Sequence, residues 1–262
     1  MLTKTLSFFS WNVSGLGQAS RCEDVLSELL SSRPSFVALQ ETKLQGTSAL
    51  KAKTFLPKRL SSWDTINSTG ASGGILSAWD NNLCSCTLSH KCRYSLTTTF
   101  TLTADGSLLS LTNVYAPTKH DEKRVFLSEM ANVADTISGP WIVIGDFNLV
   151  RDPSDKNTPS FDASEAALFN DLINNIGWIE IPLSDRSYTW SNKQACPTLV
   201  RLDRCFVNDA WDALFPNTSL SSLTALHLTM SRFWSPPPLR FPVALVSTSK
   251  TPGSAAQPSL PS

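Results

Sequence analysis

The sequence predicts a layered α/β sandwich rather than a purely parallel sheet. Two observations lead there. Short apolar runs alternate with amphipathic helical stretches, and a turn signal, Ala104-Asp105-Gly106, joins two strand-like runs as a hairpin. The 262 residues, 41% of them hydrophobic, are enough for one large domain with a real core.

In chain order, Leu6 to Val13 reads as a strand, and Cys22 to Leu30 as a helix with Val25, Leu26, Leu29 and Leu30 at helical spacing. Ser35 to Leu39 is a short buried strand that runs into Gln40-Glu41-Thr42-Lys43. Gly73-Gly74 opens the strand Ile75 to Trp79. Leu96 to Leu102 and Leu108 to Val114 are the hairpin arms. Amphipathic helices are expected over Asp121 to Ile137 and Ala163 to Ile176, with strands at Trp141 to Ile144, Leu199 to Val207 and Asn217 to Leu223. Residues 1–234 form the expected domain. Residues 235–262, rich in Pro, Ser and Ala, read as a disordered tail, because such composition buries too little apolar surface.

Lys+Arg and Asp+Glu both number 22, so no global basic field captures nucleic acid, and any DNA contact must be weak and come from a local patch. Cys84, Cys86, Cys92 and His90 do not meet zinc spacings and read better as a strand pair in a reducing compartment. No apolar run reaches membrane-spanning length, and Met1 to Phe9 is too short for a signal peptide. A nuclear or cytoplasmic protein, neither secreted nor membrane-bound, is the expectation.

The most informative run is Ile142-Val143-Ile144-Gly145-Asp146-Phe147-Asn148. A buried strand ends in a carboxylate and a carboxamide two residues apart, which share a face of any extended segment. Gly145 allows close backbone approach. Asn12, Glu41, Tyr115 and Asp203 likewise stand at the ends of predicted strands, where layered α/β folds collect their sites. Taken singly, each has a commoner explanation: Asn12 a turn former, Glu41 a solvated loop residue, Tyr115 a packing residue. Asp203 between Arg201 and Arg204 reads as a plain ion pair. Their conjunction suits a metal-dependent phosphoester hydrolase, since Mg²⁺ sites use one or two carboxylates and take further ligands from water and phosphate.

The runs Ser10-Trp11-Asn12-Val13-Ser14-Gly15-Leu16, Leu39-Gln40-Glu41-Thr42-Lys43, Asn113-Val114-Tyr115-Ala116-Pro117, Gly145-Asp146-Phe147-Asn148, Ser187-Tyr188-Thr189-Trp190 and Arg201-Leu202-Asp203-Arg204 occur in this order. In this the chain resembles the endonuclease/exonuclease/phosphatase superfamily, and within it the apurinic-endonuclease-like domain of LINE-type non-LTR retrotransposons. The resemblance implies a four-layered α/β sandwich, two mixed β-sheets flanked by helices, lacking its last core strand. It implies Mg²⁺ (or Mn²⁺) at Glu41 with Asn12 beside it. Asp146 would orient and deprotonate the attacking water, and Asn148 and Tyr115 would contact the scissile phosphate. Asp203 would orient a catalytic histidine, and Thr189 would lie on the DNA-facing rim as a substrate-binding residue. The implied activity is nicking of target DNA, with a separate reverse transcriptase polypeptide as partner for any transposition. The alternatives are a non-enzymatic decayed fragment or, lower, a phosphomonoesterase.

The family's closing Ser-Asp-His motif is missing. Its place holds Ala225-Leu226-His227-Leu228-Thr229-Met230. Read one codon register off, CAT-CTG for His227-Leu228 and the bases of Thr229-Met230 can encode Ser-Asp-His, followed by an apolar run through Ser235. The expected outcome of sequencing the coding DNA from Thr224 to Ser235 is a set of codons compatible with TCT-GAC-CAT. Incompatible codons would remove the frameshift idea.

Overall fold

The structure, a computed structural model, describes residues 6–70, 72–222 and 243–248. The Ser-Asp-His region, His227 and the rest of the expected tail lie outside the described residues.

One sheet has five strands in the order β13-β1-β2-β4-β3. They are β1 (Leu6–Asn12), β2 (Phe36–Gln40), β3 (Ser62–Ile66), β4 (Ile75–Trp79) and β13 (Val243–Thr248). The second has six, in the order β5-β6-β7-β8-β12-β9. These are β5 (Cys84–Lys91), β6 (Ser95–Leu102), β7 (Leu108–Tyr115), β8 (Trp141–Asp146), β9 (Ile179–Glu180) and β12 (Asp203–Val207). Each sheet contains one parallel pair, β1 with β2 and β7 with β8, among antiparallel neighbours. A separate two-stranded ribbon pairs β10 (Trp190–Ser191) with β11 (Leu199–Val200).

Alternation along each strand sorts its side chains between layers. Phe8, Phe36, Ala38, Leu111, Ile142, Ile144 and Cys205 join one core between the sheets. Their neighbours Phe9, Val37 and Leu39 face out and pack with Cys22, Val25 and Leu29 of helix α1 (Ala19–Ser32). On the far side, Val143 and Phe206 meet Phe126, Met130 and Val133 of α3 (His120–Thr136), and Phe169, Leu172 and Ile173 of α4 (Ala163–Ile176). The result is helix, sheet, sheet, helix: the four-layered sandwich. Short helices α2 (Ala49–Ala52) and α5 (Asp209–Leu214) complete the set.

Two sequence expectations change. Leu199 to Val207 is not one strand. It breaks at Arg201-Leu202, where Arg201 N–H turns to Asp155 O at 2.8 Å. Asn217 to Leu223 is not a strand over its described part. Thr218 N–H turns back to Phe215 O at 3.1 Å, and Leu220 forms an isolated bridge with Leu183. The edge beside β1 is instead paired antiparallel by β13, from the stretch expected as tail. Strands β3 and β9 and helix α5 have no counterpart in the sequence reading; β3 is half-exposed throughout and lacks the apolar run used to find strands.

Between the sheets the apolar core gives way to a polar key. Gln40 Nε2 donates to Asn113 Oδ1 (2.7 Å), Ser10 Oγ (3.1 Å) and Ala38 O (3.1 Å). Asn113 Nδ2 donates to Leu76 O at 2.9 Å, crossing from β7 to β4. Both side chains are wholly buried. Buried amides that lose a partner cost about 1–3 kcal/mol each. Asn113→Leu is therefore expected to destabilise the domain by about 2–4 kcal/mol in urea unfolding, beyond what its apolar gain offsets. A neutral or stabilising result would show that the key adds nothing.

Candidate functional site

The site forms at one end of the inter-sheet layer. Asn12 ends β1, Tyr115 ends β7, Asp146 ends β8 and Asp203 begins β12. Tyr115 and Asp203 are the register partners of Asp146 on its two sides. Asn12 comes from the opposite sheet and donates from Nδ2 to Asp146 Oδ2 at 2.9 Å, joining the two sheets at their tips. Asn12 Oδ1 accepts from Ser14 N at 3.1 Å, which fixes the amide orientation.

Gly145 has φ +142°, and a Cβ there would lie 2.1 Å from Val114 O. The close approach that excludes a side chain is to the neighbouring strand β7, not to a ligand. Phe147 then turns outward into a ring cluster with Phe126, Phe169, Trp178 and Phe206, with centroids 5.1–6.3 Å apart. Asn148 is left-handed at φ 47°, so the expected shared face of an extended segment does not hold. The two residues meet through a turn: Asn148 N–H donates to Asp146 Oδ1 at 3.2 Å, and Asn148 Nδ2 to Ala116 O at 2.8 Å. Asp146 is fully buried, with both carboxylate oxygens accepting hydrogen bonds.

Glu41 follows β2, whose last residue Gln40 pairs with Asn12. Its backbone is left-handed at φ 52°, an uncommon state for a residue with a Cβ. The loop is held by Thr42 N to Gly74 O and Lys43 N to Gly73 O, both 3.0 Å, and by Leu16 N to Thr42 O at 2.9 Å. A Cβ at Gly74 would meet Thr42 Oγ1 at 2.4 Å, so the clamp requires glycine there. Lys43 Nζ lies 3.0 Å from Glu41 Oε1. Glu41 and Asn12 offer hard oxygen donors on paired parallel strand ends, which fits a Mg²⁺ site with few protein ligands. Among the described residues, the one cluster of three possible metal-ligand side chains is His120, Asp162 and Glu165. There Lys123 Nζ already neutralises Glu165 at 2.6 Å.

For Asp203 it is the commoner single-residue explanation, the ion pair, that does not hold. Its flanking arginines do not pair with it. Alternation turns Arg204 to the outer face of the sheet, where its guanidinium bonds Asp155 and also Glu180 at 2.6 Å. Arg201 Nη2 also lies 2.9 Å from Glu180. This cluster ties the stretch after Asn148 to β12. Thr189 is likewise not a rim residue. It is fully buried, and its Oγ1 accepts from Leu202 N (3.0 Å) and Asp203 N (3.1 Å). Thr189 thus positions the start of β12. Asp203 Oδ2 is buried without a hydrogen-bond partner among the described residues.

Sequence reasoning gave no role to Gln40, Asn113 or Lys43. Parity was the usable signal for the first two: Gln40 shares a face with Phe36 and Ala38, and Asn113 with Leu109 and Leu111.

This arrangement belongs to a class of layered α/β proteins that gather carboxylates and amides at the tips of two facing sheets. Residues 9–223 match the endonuclease/exonuclease/phosphatase family, and the chain belongs to it. No curated protein matches the sequence significantly. Among solved structures, the AP endonuclease LMAP from Leishmania major is similar at TM-score 0.69 and 16% identity, covering 95% of this chain and 89% of that one. The endonuclease domain of TRAS1, a telomere-specific non-LTR retrotransposon, aligns at TM-score 0.66 and 10% identity, over 95% of this chain and all 100% of that one. An AP endonuclease from Archaeoglobus fulgidus gives 0.65 and 14%, over 94% and 100%. Among the described residues no helix is long and apolar enough to cross a membrane.

Burial pushes the Asp203 carboxyl up to about 7; hydrogen bonds from Thr189 and its own backbone N–H, and the charge of Arg204, offset only part of this. An unfolded aspartate titrates near 3.9. Between about pH 4 and about pH 7 the folded chain therefore holds a proton that the unfolded chain has shed, so this group's contribution to stability is full below that window and lost as pH rises through it. Asp203→Asn is expected to flatten this fall, at most about 4 kcal/mol, in urea midpoints measured across the window. An unchanged slope would place the titration elsewhere.

Proposed function

We propose that this chain is a Mg²⁺-dependent phosphodiester hydrolase-type domain, built like the DNA endonuclease of a LINE-type retrotransposon and impaired by the lack of its Ser-Asp-His motif. The observation that supports this best is the Asn12–Asp146 bond between the sheets, with Tyr115 and Asp203 in register on either side of Asp146. Glu41 and Asn12 would hold the Mg²⁺, or Mn²⁺. When bound, the ion would supply positive charge to a phosphoryl oxygen.

The chain's own groups divide the remaining work. Asp146, fixed in orientation by Asn12 and Asn148, is the proton acceptor for the attacking water. Asn148 gives one amide N–H to Ala116 O and keeps a second for the phosphate. Tyr115 stands beside it at the end of β7. Asp203, held by Thr189, is the group that would orient a histidine. Losing one preorganised donor at the reacting phosphate slows such reactions by about two to three decades, and members of a coupled set more.

A second reading, a non-enzymatic remnant, is favoured by the absence of Ser-Asp-His from the sequence, where Ala225-Leu226-His227-Leu228-Thr229-Met230 stands instead. It predicts a salt-dependent DNA gel shift without turnover. The deciding experiment is nicking of supercoiled plasmid with Mg²⁺. The chain should nick at least about a hundredfold more slowly than a version with Ser-Asp-His restored, and Glu41→Ala should abolish the restored activity. Equal rates with and without the motif would overturn impairment, and a restored chain that stays inactive would overturn the endonuclease reading.

A further inference from the structure

We infer that Lys43 is a resident counter-ion seated at the position of the divalent cation, so that cation binding to Glu41 requires the Lys43 ammonium to leave. The inference deepens the proposed function and rests on its assignment of Glu41 as the cation's carboxylate.

Three features of the loop support it. The Lys43 ammonium lies 3.0 Å from Glu41 Oε1, at the distance of a direct ion pair. The path of its stem is built in. Gly15, at φ +109°, lies beneath it, and a Cβ on Gly15 would come within 3.1 Å of Lys43 Cδ. Glycine thus accommodates both a left-handed backbone and the lysine stem lying over it. Finally, the Lys43 backbone is fixed, with its N–H on Gly73 O at 3.0 Å, while its side chain is 38% exposed. The side chain can swing to solvent without moving the loop that carries Glu41.

Electrostatics makes the two occupants exclusive. A divalent ion on the Glu41 carboxylate and an ammonium on the same group would stand a few ångströms apart with like charge. Lysine suits this exchange better than arginine would, because its compact charge sits on a flexible stem and makes no bidentate fork with the carboxylate. Before the cation arrives, the pair keeps a partly buried carboxylate compensated. The consequence is a cation site whose affinity is set partly by Lys43.

The test is Mn²⁺ binding by the full chain without nucleic acid, followed by the electron paramagnetic resonance of free Mn²⁺. Lys43→Met should bind Mn²⁺ about three- to tenfold more tightly than the unaltered chain, as expected for removal of a competing partly exposed ion pair. Lys43→Arg, which keeps a cation on the loop, should bind no more tightly than the unaltered chain. Glu41→Gln should abolish binding in either background. Thermal unfolding of each variant confirms that the fold is intact. Affinity unchanged or weakened in folded Lys43→Met, with binding still dependent on Glu41, would overturn the role of Lys43 alone. Binding that survives Glu41→Gln, or is absent from the unaltered chain and Lys43→Met alike, would overturn the metal assignment and the inference with it.

Discussion

The hydrogen bond from Asn12 to Asp146 is the constraint on which the site depends. Its two ends come from different sheets and lie 134 residues apart in the chain. Everything else at the site is referred to one end or the other. Tyr115 and Asp203 are placed by strand pairing to β8, and Glu41 by the pairing of β2 with β1. The bond also restricts chemistry. Both oxygens of Asp146 accept from N–H groups, so the carboxylate cannot be replaced by an amide without setting donor against donor in one orientation or the other. A buried carboxylate of this kind is a structural fastening between the two sheets.

A second level of polar contacts makes the first possible. Gln40 and Asn113 meet across the layer behind the site, one residue before Glu41 and two before Tyr115. On the outer face, Arg204 holds Asp155 and Glu180 and so ties the stretch after Asn148 to the strand that begins with Asp203. Thr189 caps the first two N–H groups of that segment from within. The result is that each loop bearing a candidate functional group is fastened to a rigid strand by buried hydrogen bonds. This is the condition for holding a site within the tolerances that chemistry requires.

Most of this was legible where a single strand determined the outcome. Apolar runs with the right parity located β1, β2, β4, β7 and β8, and helical spacing located α1, α3 and α4, with Ala163–Ile176 found to the residue. The motif order placed Asn12, Tyr115, Asp146 and Asp203 at strand tips, and there they meet. What failed were statements about side-chain direction and partner. The commoner single-residue explanation of Asp203, an ion pair with Arg201 and Arg204, does not hold, because alternation sends Arg204 to the other face. The resemblance puts Thr189 on the rim, yet its side chain is buried against the start of β12. Such errors share a cause: local pattern fixes the period of an element but not which partner lies across it.

The position of β13 explains how a chain can depart from its family at the C-terminus and still present a sheet of five strands. Its partner, β1, needs backbone donors and acceptors along one edge, and those are supplied by any extended segment of suitable length. The register over Leu6 to Ser10 shifts between Phe9 and Ser10. Backbone pairing is thus indifferent to which side chains arrive, since every residue can accept along an edge and every residue but proline can donate.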